Sequence, residues 1–207
     1  MKRALLFFFF VSMAFGSNAQ DIVYSSLQNM LAGVGDTVTT LSKVRRSINQ
    51  IYLSGGADYH IYSTENEGIS KYLKKRSYAV LYADTLYVNC KRLRYNRYRF
   101  GNWFAKAAMV DGHIFFIAQP LGQLASRTLV SKDVPRLQGS VGDAISASGL
   151  VYDRVVYEID PSTGRISFVG QDRMSELLSG RPELLKSFLA ENDERADVVI
   201  KYLQRLR

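Results

Sequence analysis

The turn Asp111-Gly112 inside "WFAKAAMVDGHIFFIAQP" constrains the fold of this chain more than any other feature. Asp followed by Gly readily takes the two left-handed conformations of a type I′ turn, and apolar runs flank it on both sides, so the segment reads as a tight β-hairpin. "SYAVLYADTLYVNCKRL" repeats the signal, with two runs of strand formers meeting at Ala83, Asp84 and Thr85. A third hairpin follows in "VYDRVVYEIDPSTGRISFVG", where Val155, Tyr157 and Ile159 alternate before the turn from Asp160 to Gly164. Proline early and glycine late suit that reversal.

"YHIYS" adds a short strand and "ENEGISKYLKKR" a short helix, with Ile69, Tyr72 and Leu73 on one side. The tail is helical. Asp172 can cap a first helix carrying Met174, Leu177 and Leu178, which Gly180 stops. Pro182 suits the first turn of a second, with Leu184, Leu185, Phe188 and Leu189 apolar and Asn192 at its end. A third runs from Asp193 and Glu194 to Arg205 and Arg207, with Val198, Val199, Tyr202, Leu203 and Leu206 on its buried side. Strands first and helices last define an α+β fold: a mainly antiparallel sheet built from hairpins, with three C-terminal helices on or beside it. Two stretches carry weaker signals. A mobile N-terminal segment is expected up to about Thr37, after which the β-branched run to Thr40 competes with the helical spacing of Leu41, Val44 and Ile48. Residues 122–149, ending in "QGSVGDAISASG", read as a long loop, and a loop of that length marks a functional or disordered segment.

Residues 1–19 have the pattern of an export leader. Lys2 and Arg3 precede the apolar run from Ala4 to Phe15, and Gly16 to Ala19 supply a small-x-small cleavage site. The apolar run is shorter than the roughly 20 residues that span a bilayer, so cleavage after Ala19 is expected, leaving one exported domain over 20–207, periplasmic or extracellular. No cysteine near the site offers a lipid anchor. The formal net charge of +8 falls by the two charges of Lys2 and Arg3 to +6, so the mature chain stays basic. Cys90, the single cysteine, excludes an internal disulfide and a cysteine metal cluster, and reads as a small buried residue of a strand.

Several runs, "RRSINQIYLSGGADYHIYS", "LYVNCKRL", "FGNWFAKA", "VYEIDPSTGRISFV" and "LLSGRPELLKSFL", resemble those of a family of exported proteins of unknown function from Gram-negative gut and oral bacteria. The resemblance covers most of the mature chain. It implies a single exported domain and assigns no catalytic or binding residue.

Enzymatic chemistry finds little purchase. The sequence has no G-x-S-x-G elbow, no H-E-x-x-H, no Walker loop and no G-x-G-x-x-G after a strand, so it points to no cofactor and no metal. His60 on a strand and His113 beside a turn read as structural or solvated, and each would need a cleft and a neighbouring carboxylate to act. Glu65 and Glu67 complement a helix start; Asp153 and Glu158 read as solvent-facing or as partners of nearby arginines.

The segment "CKRLRYNRYRFGNWFAK" places five basic residues between Lys91 and Arg99 and threads aromatics among them. Arg92, Arg94, Arg97 and Arg99 with Tyr95, Tyr98 and Trp103 form the candidate ligand-binding set. Such a set suits nucleic acid chemically, but an exported protein meets little of it and no nucleic-acid module is present. An anionic envelope component, either lipopolysaccharide phosphate or an acidic glycan, suits the expected compartment better, because arginine forks pair with phosphate or carboxylate and aromatic faces with sugar rings. Three other readings stand beside it: solvated charges flanking a turn at Asn96, a structural or assembly partner of another envelope protein docking through the C-terminal helices or the 122–149 loop, and, last, a hydrolase.

Overall fold

A computed structural model describes residues 20–125 and 150–206. In chain order the described elements are β1 (Ile22–Tyr24), α1 (Leu27–Leu31), β2 (Asp36–Thr37), β3 (Leu41–Arg45), α2 (Ile48–Ser54), β4 (Tyr59–Ser63), α3 (Glu67–Lys75), β5 (Ala79–Tyr82) and β6 (Thr85–Asn89). There follow β7 (Arg94–Tyr95), β8 (Tyr98–Arg99), β9 (Phe104–Val110), β10 (His113–Ala118), β11 (Val155–Ile159) and β12 (Ile166–Phe168). The chain closes with α4 (Gln171–Leu177), α5 (Pro182–Glu191) and α6 (Ala196–Leu203). The described residues form one ten-stranded antiparallel sheet and a separate ribbon of β7 and β8, so the fold is α+β as expected.

All three hairpins form. Asp111 and Gly112 both take positive φ, 49° and 78°, and His113 pairs with Val110. Ala83 and Asp84 turn in the same way, at 44° and 57°, although no glycine marks the place. Asp160 fixes the third reversal by accepting hydrogen bonds from the backbone N–H groups of Ser162 and Thr163.

β9 is the strand on which the sheet branches. One of its edges pairs with β6 from Phe104 to Ala107. The other pairs with β10 from Ala107 to Val110 and, at Phe104, with Tyr59 of β4. Alternation along β9 sends Ala105 and Ala107 to one face, where they join Ile114, Phe116, Tyr157 and Val88 in a core covered by α1 and the β7–β8 ribbon. Val110 faces the opposite way with Phe115 and Val156, beneath α4, α5 and α6. Phe104, also on that side, packs with Val80, Tyr87, Ile61 and Leu73, the last from α3.

Several local expectations are corrected. The segment before Thr37 is built into the fold, because β1 pairs with both β2 and β5 and Leu27 and Met30 of α1 are buried. The competition after Thr37 is divided: Leu41–Arg45 is a strand paired to β4, and the helix begins at Ile48 behind a capping box of Ser47 and Gln50. Asp172 does not cap α4. Gly170 holds the N-cap position, and the first N–H, that of Gln171, donates to the carboxylate of Glu194 at 2.8 Å. Glu194 is thereby taken out of the last helix, which starts at Ala196. Pro182 and the left-handed Asn192 bound α5 as expected, with Phe188 buried and Leu189 exposed. Residues 126–149, most of the expected long loop, lie outside the described residues.

Asn89 locks α3 to the sheet. Its buried amide donates to the carbonyls of Leu73 and Ser77 at 2.8 and 3.0 Å, while its oxygen accepts from the Lys91 N–H at 3.1 Å. Buried carbonyls left without partners are expensive. Asn89→Ala is expected to lower the free energy of urea unfolding by about 2 kcal/mol, and a loss below about 0.5 kcal/mol would show that this lock is not needed.

Candidate functional site

The basic run leaves the sheet at the end of β6. Asn89 caps a single 3-10 turn, Cys90–Arg92, and Cys90 is fully buried as expected, its thiol pKa pushed up by burial. Leu93 and Phe100 then bury their side chains on either side of the ribbon. Between them Asn96 turns the chain at φ 53°, which places Tyr95 opposite Tyr98 and Arg94 opposite Arg99. The Tyr95 ring packs on Tyr157 at 5.3 Å, and Phe100 lies edge-on to both Tyr157 and Phe116 at 4.8 and 5.1 Å. Tyr98 lies against Gly122, where a Cβ would come within 2.5 Å of its ring. The ribbon is short, but its aromatic side seats it on the core.

Its other side is cationic. Arg94 and Arg99 are exposed register partners, and among the described residues neither has an acid within ion-pair distance. Arg97 stacks over the Tyr98 ring at 5.2 Å and donates to its hydroxyl at 3.0 Å. Arg92, also exposed, donates to the carbonyl of Arg76 at 3.3 Å. The arginines therefore do not splay toward separate carboxylates. Like charges facing each other across a strand pair oppose folding, so this arrangement persists at some cost in stability.

Trp103 belongs to a different neighbourhood. Its ring contacts are with His60, edge-on at 4.4 Å, and with the cations of Arg46 and Lys74 at 5.2 and 5.4 Å. Burial, and then the nearby charges of Lys74 and Arg46, lower the His60 pKa. Arg46 is buried and fully committed: it donates to the carbonyls of Gln50, Gly55 and Ala57 and to the Ser54 hydroxyl. The sequence grouped Trp103 with the arginines because they are close in the chain; Arg46 and Lys74, which share its ring, come from distant elements.

His113 meets the geometric condition set for an enzyme. Its Nδ1 lies 2.7 Å from Glu158 Oε1, beside a cavity of about 310 Å³. Glu158 is 5% exposed, and Arg173 from α4 donates to both its oxygens, at 2.7 and 2.9 Å. Burial opposes ionisation of Glu158, but the bonds from Arg173 and His113 outweigh it and hold the carboxyl below its ordinary value. The lining of this cavity offers no hydroxyl, thiol or amine nucleophile among the described residues. Its chemistry is that of a neutralised buried carboxylate that ties α4 to the sheet. A charged residue at an otherwise apolar strand position, "VVYEI", was the signal available in the sequence, which left Glu158 between solvent and a nearby arginine.

On the last helix Val199, Tyr202 and Leu203 are buried, while Val198 and Ile200 are partly exposed, Ile200 beside a cavity of about 500 Å³. Among the described residues no helix is long and apolar enough to cross a membrane, and no group of three or more potential metal ligands forms. What the fold and surface define is an α+β protein with a branched antiparallel sheet and a projecting arginine ribbon. The chain belongs to the family of unknown function DUF6563, whose profile matches residues 22–207, in keeping with the resemblance to a family of unknown function read from its sequence. No curated protein and no solved structure matches it.

Because the folded pKa of Glu158 lies below its ordinary value of 4.5, its contribution to stability is present above that pH. It is lost as pH falls through the depressed value. Glu158→Gln is expected to cost about 3 kcal/mol near neutrality, by leaving Arg173 without its buried partner, and the gap to wild type should shrink in urea melts below pH 4.5. A gap that does not change with pH would contradict the assignment.

Proposed function

We propose that this protein is an exported, non-enzymatic binder of an anionic envelope polymer, held through the β7–β8 ribbon. The observation that carries the reading is the pair Arg94 and Arg99, directly opposed and without an acid partner among the described residues. A phosphate or carboxylate placed between two guanidinium groups turns their repulsion into two charge-assisted, potentially bidentate contacts. Arg97 and Arg92 lengthen the cationic track, and Tyr95, Phe100 and Tyr98 hold it in place before any ligand arrives. Less ordering entropy is then lost on binding. The leader-like first nineteen residues and the net positive charge of the remainder support an envelope address, periplasmic or extracellular. Lipopolysaccharide phosphate and the carboxylates of an acidic glycan share the chemistry that such a track recognises.

Retention of the purified protein on immobilised lipopolysaccharide and on immobilised polygalacturonate, across rising sodium chloride, tests the reading and separates phosphate from carboxylate. Binding to at least one matrix should weaken as salt screens the charges. The triple variant Arg94→Ala, Arg97→Ala, Arg99→Ala should lose roughly tenfold in affinity for each arginine engaged. Retention that the triple variant leaves unchanged would overturn the proposal.

A further inference from the structure

Trp103 has a backbone conformation that disfavours its side chain. Its φ is 81°, a left-handed value costing of order 1–3 kcal/mol for a residue other than glycine. The conformation is imposed by a close approach of two chain segments. Gly56, at φ 85°, has no room for a Cβ against the carbonyl of Asn102, and Ala57 donates its N–H to that same carbonyl at 2.9 Å. The Trp103 carbonyl is fixed in turn by the N–H of Cys90 at 2.9 Å. Glycine at position 103 would satisfy the same backbone without strain. The chain nonetheless carries its largest side chain there, with the ring partly buried against the inner core and partly open.

The groups around the ring indicate what. Arg46 is immobilised by four hydrogen bonds and serves to hold the indole. Lys74, at the exposed end of α3, lies 5.4 Å from the ring centroid and has no acid within ion-pair distance among the described residues. Among the described residues it is the one cation on the ring that is free to swing aside and take a ligand's charge. His60, 4.4 Å away, is biased toward the neutral form, in which one ring nitrogen donates and the other accepts. Tyr62 extends this aromatic surface at 5.0 Å from His60.

We propose that Trp103, His60 and Lys74 form a subsite for one residue of an acidic sugar, a uronic acid or its like. The apolar C–H face of the pyranose stacks on the indole, His60 exchanges hydrogen bonds with a ring hydroxyl, and Lys74 pairs with the carboxylate. The subsite uses β4, α3 and the approach to β9, not the arginine ribbon. It rests on the preceding reading only for the acidic character of the ligand.

Trp103 is the single tryptophan of the chain, so its emission reports this subsite alone. Titration of the full protein with tetragalacturonate should give a saturable change in emission. Lys74→Ala should weaken it roughly tenfold, and cellotetraose, of equal length and uncharged, should bind at least as weakly as that. Placed in the arginine triple variant, which removes the ribbon's share of the heat, Trp103→Gly, which suits the backbone, should abolish the remaining heat of tetragalacturonate binding in calorimetry while the thermal transition persists. The arginine triple variant should keep the emission change, which distinguishes the two sites. Binding to polygalacturonate without any change in emission would overturn this subsite and leave the ribbon standing. An emission change in a protein whose retention ignores the three arginines would do the reverse. A stronger response to adenosine monophosphate than to tetragalacturonate would overturn the sugar assignment.

Discussion

The packing around Tyr157 is the contact on which the placement of the ribbon depends. Its ring meets Tyr95, Phe100, Phe116 and Phe168 at centroid distances between 4.8 and 6.2 Å. Its hydroxyl accepts from the Leu121 N–H and donates to the Gln119 carbonyl. One side chain on β11 thus sets the course of the chain after β10, the inner core of the sheet and the seat of the ribbon. Aromatic pairs of this kind add about 0.5–1.5 kcal/mol each beyond the area they bury, which makes the ribbon's position a property of the core. A two-residue strand pair has no stability of its own in water.

Cations are handled in two ways in this molecule. Where a charge must enter the interior it is neutralised or saturated: Arg173 on Glu158, Arg154 forked on Asp58, Arg46 on backbone carbonyls, and Lys43 bonded to Tyr87 among three tyrosine rings. On Arg94, Arg99 and Lys74 no acid does so among the described residues. The contrast separates structural cations from available ones, and it explains why the count of basic residues alone was a poor guide.

Much of the fold was legible because its determinants are local. Asp111-Gly112, the alternation of Val155, Tyr157 and Ile159, and the pair Pro182 and Asn192 each fix backbone geometry within a few residues. β1 and α1 escaped notice because their stability comes from partners distant in sequence, β5 for the strand and the inner core for Leu27 and Met30. Glu194 was misplaced for the same reason, being an acid whose bond lies 23 residues upstream. Of the seven candidate residues, six remain together on or beside the ribbon. Trp103 does not, and no pattern in the sequence announces that Gly56 and Asn102 must touch.

Opposed arginines left unsatisfied so that a ligand can satisfy them are the central claim, and it is measurable without knowing the ligand. Arg99→Glu replaces a like-charge pair across the ribbon by an opposite one, worth up to about 1 kcal/mol. Thermal melts at low salt should therefore show the variant raised by about 2 °C, with the gain fading as salt is added. A variant that melts below wild type at low salt would mean that Arg99 already has a stabilising partner, and the claim would fail.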